Sequence, residues 1–320
     1  MQSLVSQTSE EVTTVVVDQG SSDGTADWVR EHWPDATLVC LPANVGVTAG
    51  FNVCLDAAAG ADLIVLLNND MVLQPDFIAH LVSTMEAHPR AAVAGGKLLN
   101  ANDRSKLDGA GDTFSWRGTA FRRGHGDVDI GQFDREEQTF GTCAGAAMYR
   151  PSAIADIGVF DERFGAFLED VDWSFRARRR GWECWYAPDA VALHIGSATI
   201  GQGLTDFTAY HLWRNGLWVV AKNYPASALV LHAPALLTTQ ALQLAEALHR
   251  RQFRVWRRAV RDALASLPAV VRQREGARTR PLSPRSSLDF VMEPAWSPLV
   301  RGWADRARGP FRRRSERFAK

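Results

Sequence analysis

The chain has 320 residues, 46% of them hydrophobic, and its 36 Lys and Arg are balanced by 36 Asp and Glu; this supports one large core plus an appendage and excludes an intrinsically disordered chain. The balance is uneven: residues 1–210 carry 29 acids against 15 Lys and Arg, and residues 211–320 carry 21 Lys and Arg against 7 acids, so the first part suits a cation, the second an anionic surface, and no nucleic-acid partner is expected. Cys40, Cys54, Cys143 and Cys184 form no CxxC pair, which excludes a zinc knuckle or disulfide framework, and the polar residues 1–11 lack the layout of a secretory signal, so a cytoplasmic setting is the expectation.

In chain order, the β-branched residues 12–18 predict a strand, and a glycine-rich turn over 20–25 leads into a helix over 26–33. A strand over 37–41, a helix over 47–59 and a strand over 62–68 follow. A helix then starts at Pro75 and runs to about His88, and a strand spans 91–98. This alternation predicts an α/β domain on a mostly parallel central sheet with helices on both faces. Residues 100–138 lose the pattern and read as hairpins and loops over a site. Helices over 153–157 and 171–180 and short strands over 183–186 and 191–194 complete a domain spanning 1–225.

Residues 226–248 are apolar and helix-prone, but His232, Pro234, Gln240, Gln243 and Glu246 make them a poor membrane span. Phe253, Trp256, Val260, Leu264 and Leu267 then recur at spacings of three and four, with Arg250, Arg251, Arg254, Arg257, Arg258 and Arg261 between and around them. Such a basic amphipathic helix fits an anionic membrane surface and fits equally a helix docked on its own domain. These helices form a unit over 226–271, and residues 272–320 read as a basic, largely irregular tail.

The chemistry concentrates where apolar runs stop. Leu63 to Leu67 is unbroken hydrophobic sequence ending on Asn68, Asn69 and Asp70, as expected of a buried strand that delivers a carboxylate to the ligand edge of a sheet. Asp70 is a hard oxygen donor suited to Mg²⁺ or Mn²⁺ carrying a diphosphate, or else a simple strand-end cap. Asp18, followed by Gln19 and Gly20, suits a base or ribose, or an ordinary capped turn. Asn44, Gly46 and Asn52 surround a helix start fit for diphosphate oxygens, without the spacing of a dinucleotide fold or phosphate loop. Glu169, Asp170 and Asp172 crowd a helix start between apolar flanks, so a buried, tuned base is expected, with Asp170 the candidate. His194 closes a short strand, where a lone histidine is more often structural, or else its ring nitrogen would complete a carboxylate-imidazole metal site with Asp70. His211, Arg214, Asn215 and Lys222 share a helix that either meets phosphates or is a solvated face.

Taken in order, Val17-Asp18-Gln19-Gly20-Ser21-Ser22-Asp23-Gly24-Thr25, Asn44-x-Gly46-x-x-x-Gly50-x-Asn52, Leu66-Leu67-Asn68-Asn69-Asp70, Gly158-Val159-Phe160-Asp161-Glu162, Glu169-Asp170-Val171-Asp172 and Pro188-x-Ala190-x-x-x-His194 closely resemble family 2 glycosyltransferases, above all their rhamnosyltransferase-like bacterial branch. The resemblance implies a GT-A fold and inverting, metal-dependent transfer from a nucleotide-sugar donor, dTDP-rhamnose first, to a glycan or polyprenyl-linked acceptor. The setting it implies is cell-surface polysaccharide synthesis, at the cytoplasmic face of the membrane. By position it places Asp18, Asn44, Gly46, Asn52 and Asn69 on the nucleotide and donor, Asp70 and His194 on Mg²⁺ or Mn²⁺, Asp170 as general base, and Gly145, Glu169 and Asp172 around the acceptor.

Two departures stand out. Gln19 replaces the family's usual Asn or Asp, and Ser3-Leu4-Val5-Ser6-Gln7-Thr8 matches the end of the family's first helix, so the first strand and most of that helix are expected to be missing. Losing a central strand exposes backbone groups and apolar surface. The competing expectation is therefore a non-catalytic remnant that binds a glycan or a partner. A sugar nucleotidyltransferase, the other enzymatic reading, calls for a basic glycine-rich loop near the N-terminus that the sequence lacks.

Overall fold

The computed structural model describes residues 2–8, 12–196, 204–276 and 292–294. A short turn of helix α1 (Gln2–Val5) precedes β1 (Val15–Asp18), α2 (Thr25–His32), β2 (Thr37–Cys40) and α3 (Val47–Ala57). β1 and β2 pair in parallel, from Val15 opposite Thr37 to Asp18 opposite Cys40. Next come β3 (Ile64–Leu67), β4 (Met71–Leu73), α4 (Phe77–Ala87) and the long β5 (Ala91–Asn100). Gln7 ties α1 to this region: its amide donates to the Gln74 carbonyl at 2.8 Å and accepts from the Ile78 N–H at 3.0 Å.

Residues 100–138 hold β6 (Asp103–Gly109), β7 (Asp112–Ser115), β8 (Thr119–Arg122) and β9 (Glu137–Gln138), before β10 (Ala146–Tyr149), α5 (Pro151–Ile157), α6 (Glu169–Arg179) and β11 (Glu183–His194). The α/β class holds, but the central sheet is mixed. Its order is β3-β10-β5-β11-β4, with β6 on β5 and β9 on β11. Only β5 and β11 run parallel within it. Apolar patterning carries no strand direction, and all four residues of β10 are buried, which suits a strand inserted either way. The two short strands expected over 183–194 are one strand with a register shift between Ala187 and Val191, where Pro188 has no N–H to offer the ladder.

Helices cover both faces. Phe51, Leu55, Tyr149, Ile157, Phe160 and Trp173 fill one side of the sheet, and Phe77, Ile78, Leu81 and Met85 of α4 fill the other. The free edges of β1 and β3 remain unpaired among the described residues. Both strands line one cavity of about 2140 Å³, whose apolar wall includes Leu4, Val82 and Met148 and whose polar rim includes Asp18, Asn44, Asn69 and Asp70.

The C-terminal part comprises α7 (Asp206–Asn223), α8 (Ala226–Leu231), α9 (Ala233–His249), α10 (Phe253–Gly276) and β12 (Met292–Glu293), which pairs parallel to β7. α9 begins at the helix-initiating Pro234. The basic helix α10 is docked on α7: Tyr210 donates to Asp262 at 2.9 Å, Trp218 donates to Ser266 at 3.0 Å, and Ala259, Ala263 and Val270 are buried. The stripe expected from the sequence is only partly covered: Trp256, Val260 and Leu267 are half-buried, whereas Phe253 and Leu264 are exposed. α10 runs on to Gly276, and apart from its last turn and residues 292–294 the expected irregular tail lies outside the described residues. Among the described residues no helix is long and apolar enough to cross a membrane.

Candidate active site

β3 stops at Leu67 because the next residues turn: the Asn68 N–H donates to the Gly145 carbonyl at 2.8 Å and the Met71 N–H returns to the Asn68 carbonyl at 3.3 Å. That turn carries Asp70. The end of β11 lies opposite β4, His194 against Met71, and the Asp70 carbonyl accepts from the Ile195 N–H at 2.9 Å. His194 Nε2 therefore lies 3.3 Å from Asp70 Oδ2, while its Nδ1 donates to Asp108 Oδ2 at 2.8 Å. Asp108 in turn accepts from Arg122 at 2.6 Å. The hydrogen bond to Asp108, then Asp70, pushes the His194 pKa up to about 9; the contact with His194 lowers that of Asp70.

Asp70 Oδ1 is buried and has no hydrogen-bond partner among the described residues. A buried carboxylate oxygen left open beside an imidazole is a donor set that Mg²⁺ or Mn²⁺ fits. Among the described residues no three His, Cys, Asp or Glu side chains converge as a complete ligand set. A cation held by Asp70 and His194 would therefore take its other ligands from diphosphate oxygens and water, the usual habit of Mg²⁺.

The bend that leads into Asp170 is strained. Phe167 and Leu168 both have φ of 66°, in the left-handed region that non-glycine residues avoid. The buried Asn215 of α7 holds this bend, its amide donating to the carbonyls of Phe164, Ala166 and Phe167 at 3.1, 2.8 and 2.7 Å. Asp170 emerges from it half-buried at the start of α6, accepting from the N–H groups of Ala144 at 3.3 Å and Val171 at 2.8 Å. Burial raises its pKa despite these donors. Glu169 is more buried, its Oε2 has no partner among the described residues, and burial followed by the Asp170 charge raises its pKa. Gly145 joins the two halves: a side-chain carbon there would overlap the Asn68 amide, two residues before Asp70.

At the ends of β1 and β2, buried Asp18 accepts from the Ser21 N–H at 3.2 Å, Gln19 Oε1 from the Val45 N–H at 3.1 Å, and Asn44 Oδ1 from the Gly46 N–H at 2.8 Å. These bonds fasten two loops along the cavity rim, with Asn69 exposed beside them. The family described as Glycosyl transferase family 2 matches residues 1–158. The chain is 27% identical over 230 residues to the N-acetylglucosaminyl-diphospho-decaprenol L-rhamnosyltransferase of Mycobacterium tuberculosis, covering 65% of this chain and 75% of that one. Over residues 1–158 the chain belongs to glycosyltransferase family 2. Its GT-A fold is shared with GalNAc-T7, solved with UDP, GalNAc and Mn²⁺, at a TM-score of 0.58 and 11% identity, covering 88% of this chain and 55% of that one. A mannosyltransferase from Pyrobaculum calidifontis in complex with GDP-Man and Mn²⁺ matches with a TM-score of 0.51 and 17% identity, over 87% of this chain and 79% of that one.

Two residues of this glycosyltransferase sit elsewhere than the sequence placed them. Asn52 does not line the cavity; its amide donates to the Phe160 carbonyl and accepts from the Phe160 N–H, both at 3.0 Å, and also donates to Glu162. It pins a loop. Asp172 is fully buried and its carboxylate is taken by Lys222 at 2.8 Å, Arg176 at 2.9 Å and Asn223 at 2.9 Å, so no oxygen is left for an acceptor. Sequence reasoning missed Asp108, Asp112 and Arg122. The Arg122 charge acts on Asp70, Asp108, Asp112 and Asp170 together, and burial followed by the Asp170 charge raises the Asp112 pKa. All three lie in the aperiodic stretch, where the density of Asp, Arg and Gly was the available signal.

Asp108 fixes which ring nitrogen of His194 faces Asp70. The variant Asp108→Asn is expected to weaken Mn²⁺ binding by about 10–100-fold, the usual cost of losing a carboxylate behind a ligating histidine. Titration of free Mn²⁺ by electron paramagnetic resonance reads this directly, and an affinity within about twofold of the native protein would remove Asp108 from that role.

Proposed function

We propose that this glycosyltransferase moves a sugar, with rhamnose from dTDP-rhamnose the leading candidate, onto a hydroxyl of a glycan or polyprenyl-linked acceptor, with inversion, at the cytoplasmic face of the membrane in cell-surface polysaccharide synthesis. The observation that carries this reading is the pairing of His194 with Asp70, which keeps an open buried oxygen and lies on the rim of the large cavity. The name of the mycobacterial relative supports the donor sugar and the lipid-linked acceptor. Asp170, half-buried and with its pKa raised by burial, takes the acceptor O–H proton as the acceptor oxygen bonds to the anomeric carbon and the bond from that carbon to the diphosphate breaks. One base and one displacement give inversion. Mg²⁺ or Mn²⁺, held by Asp70 and His194, neutralises charge on the departing diphosphate when bound. Asp18, Asn44, Gly46 and Asn69 position the nucleotide and donor, and Gly145 and Glu169 shape the acceptor side.

Calorimetric titration with dTDP, UDP and GDP, each with and without Mn²⁺, tests the reading. Binding of dTDP that requires the cation, and is at least about tenfold tighter than for the other two, is the expected result. Nucleotide binding indifferent to Mn²⁺, or none by the folded protein, would overturn it.

A further inference from the structure

The docking of α10 on α7 buries Ala259, Ala263 and Val270 and leaves Phe253 and Leu264 of the stripe expected from the sequence exposed, and the helix before it carries a longer open apolar face. On α9, Pro234, Leu237, Ala241, Ala245 and Leu248 recur at intervals of three and four, and every one is exposed, with Leu237 at 69% and Leu248 at 58%. Val230 and Leu231 of α8 extend this surface at 79% and 73% exposure. The opposite face is fixed inward: Ala235, Thr239 and Ala247 are buried, and Thr239 accepts from Arg117 at 3.0 Å and donates to the Arg117 carbonyl at 2.9 Å. Scattered exposed leucines are ordinary, but an unbroken apolar stripe about 21 Å long marks a surface that meets something apolar.

Charge identifies the partner. The stripe ends at Leu248 and runs directly into His249, Arg250 and Arg251, with Arg254 and Arg257 following on α10. Arg250 is paired with Glu246, and Arg258 and Arg261 share Asp262. Arg251, Arg254 and Arg257 are exposed and have no side-chain partner among the described residues. An apolar helix face closed off by unneutralised arginines matches the boundary between acyl chains and anionic headgroups. A second copy of the chain matches it less well, because the nearby acids Glu246 and Asp262 are already engaged.

We infer that the outward face of α8 and α9 inserts in the plane of an anionic phospholipid surface, with Arg251, Arg254 and Arg257 on the headgroup phosphates. α9 lies in the interface and does not span it. α10 contributes charge to the contact while Ala259, Ala263 and Val270 stay buried against its own domain. The inference is independent of the proposed sugar transfer, so its test contains neither nucleotide nor acceptor.

The test is flotation of the full chain with vesicles of phosphatidylcholine alone and of phosphatidylcholine mixed with phosphatidylglycerol. The native protein is expected to float with the mixed vesicles and to lose binding as salt rises. The double variant Leu237→Glu/Leu248→Glu changes two exposed positions, so it is expected to keep its circular dichroism spectrum and to bind at least about tenfold less. The triple variant Arg251→Gln/Arg254→Gln/Arg257→Gln is expected to lose its preference for the mixed vesicles. Failure of the native protein to float with either vesicle would overturn the inference, as would binding that the leucine variant leaves intact. So would a dimer in solution that the leucine variant dissociates without any vesicle binding by the native chain.

Discussion

Asp170→Asn is expected to lower kcat by about 10²–10⁴-fold, the contribution of a positioned general base, while Mn²⁺-dependent nucleotide affinity stays within about twofold. The substitution keeps the side-chain volume but an acceptor for only one of the Ala144 and Val171 N–H groups, which bond to different carboxylate oxygens; what it removes is the carboxylate proposed to take the proton. Glu169→Gln is the informative control. Its carboxyl is held protonated by burial and by the Asp170 charge, so the amide costs much less. The pH profile separates a base from a merely structural residue. A base works only when ionised, so kcat falls as pH drops through its pKa. Burial raises the Asp170 pKa above the ordinary carboxylate value of about 3.9, so the native limb sits at higher pH than an exposed carboxylate would give. That limb should vanish in Asp170→Asn, and turnover within a few-fold of native would sink the assignment.

The candidate site residues were legible where strand ends announce them. Asp18, Asp70 and His194 each close an apolar run, and in the structure each ends its strand or the turn beyond it. Asp108 was not legible, because its partner His194 lies 86 residues away and residues 100–138 have no period from which to assign a side. Asp172 was misread for a reason the sequence contained. Residues two apart on a helix do not share a face, so with Asp170 on the site, Asp172 turns toward α7. The helix of α10 was legible, but its buried face is Ala259, Ala263 and Val270, offset from the expected stripe, of which Phe253 and Leu264 stay exposed. Sheet direction was hidden: β10 looks alike run forwards or backwards, and only the hairpins before it bring it in antiparallel to β3 and β5.

Lys222 was read as part of a face that either solvates or meets phosphates, and it is neither. Its Nζ lies 2.9 Å from Asp161 and 2.8 Å from Asp172, with 6% of the residue exposed. These contacts tie α7 to the loop before the strained bend and to the helix that carries Asp170. Lys222→Met is expected to destabilise the fold by about 3 kcal/mol, the lower end for breaking a buried pair, because Arg163 still serves Asp161 and Arg176 and Asn223 still serve Asp172. The midpoint of urea unfolding measures it. Asp161→Asn should cost less in the Lys222→Met background than in the native chain, as expected of groups in one network. Burial alone would raise both carboxyls; the Arg163 hydrogen bond and the Lys222 charge hold Asp161 well below its ordinary range, and the charges of Lys222 and Arg176 hold Asp172 below its own. Folded values depressed below the unfolded one of about 3.9 mean that this stabilisation is fully present above that pH and is lost as pH falls toward the folded values. Without Lys222 both folded values move back up, so the variant starts less stable and loses less between neutral pH and acid. Parallel acid-unfolding curves for the two proteins would remove Lys222 as the source of that dependence.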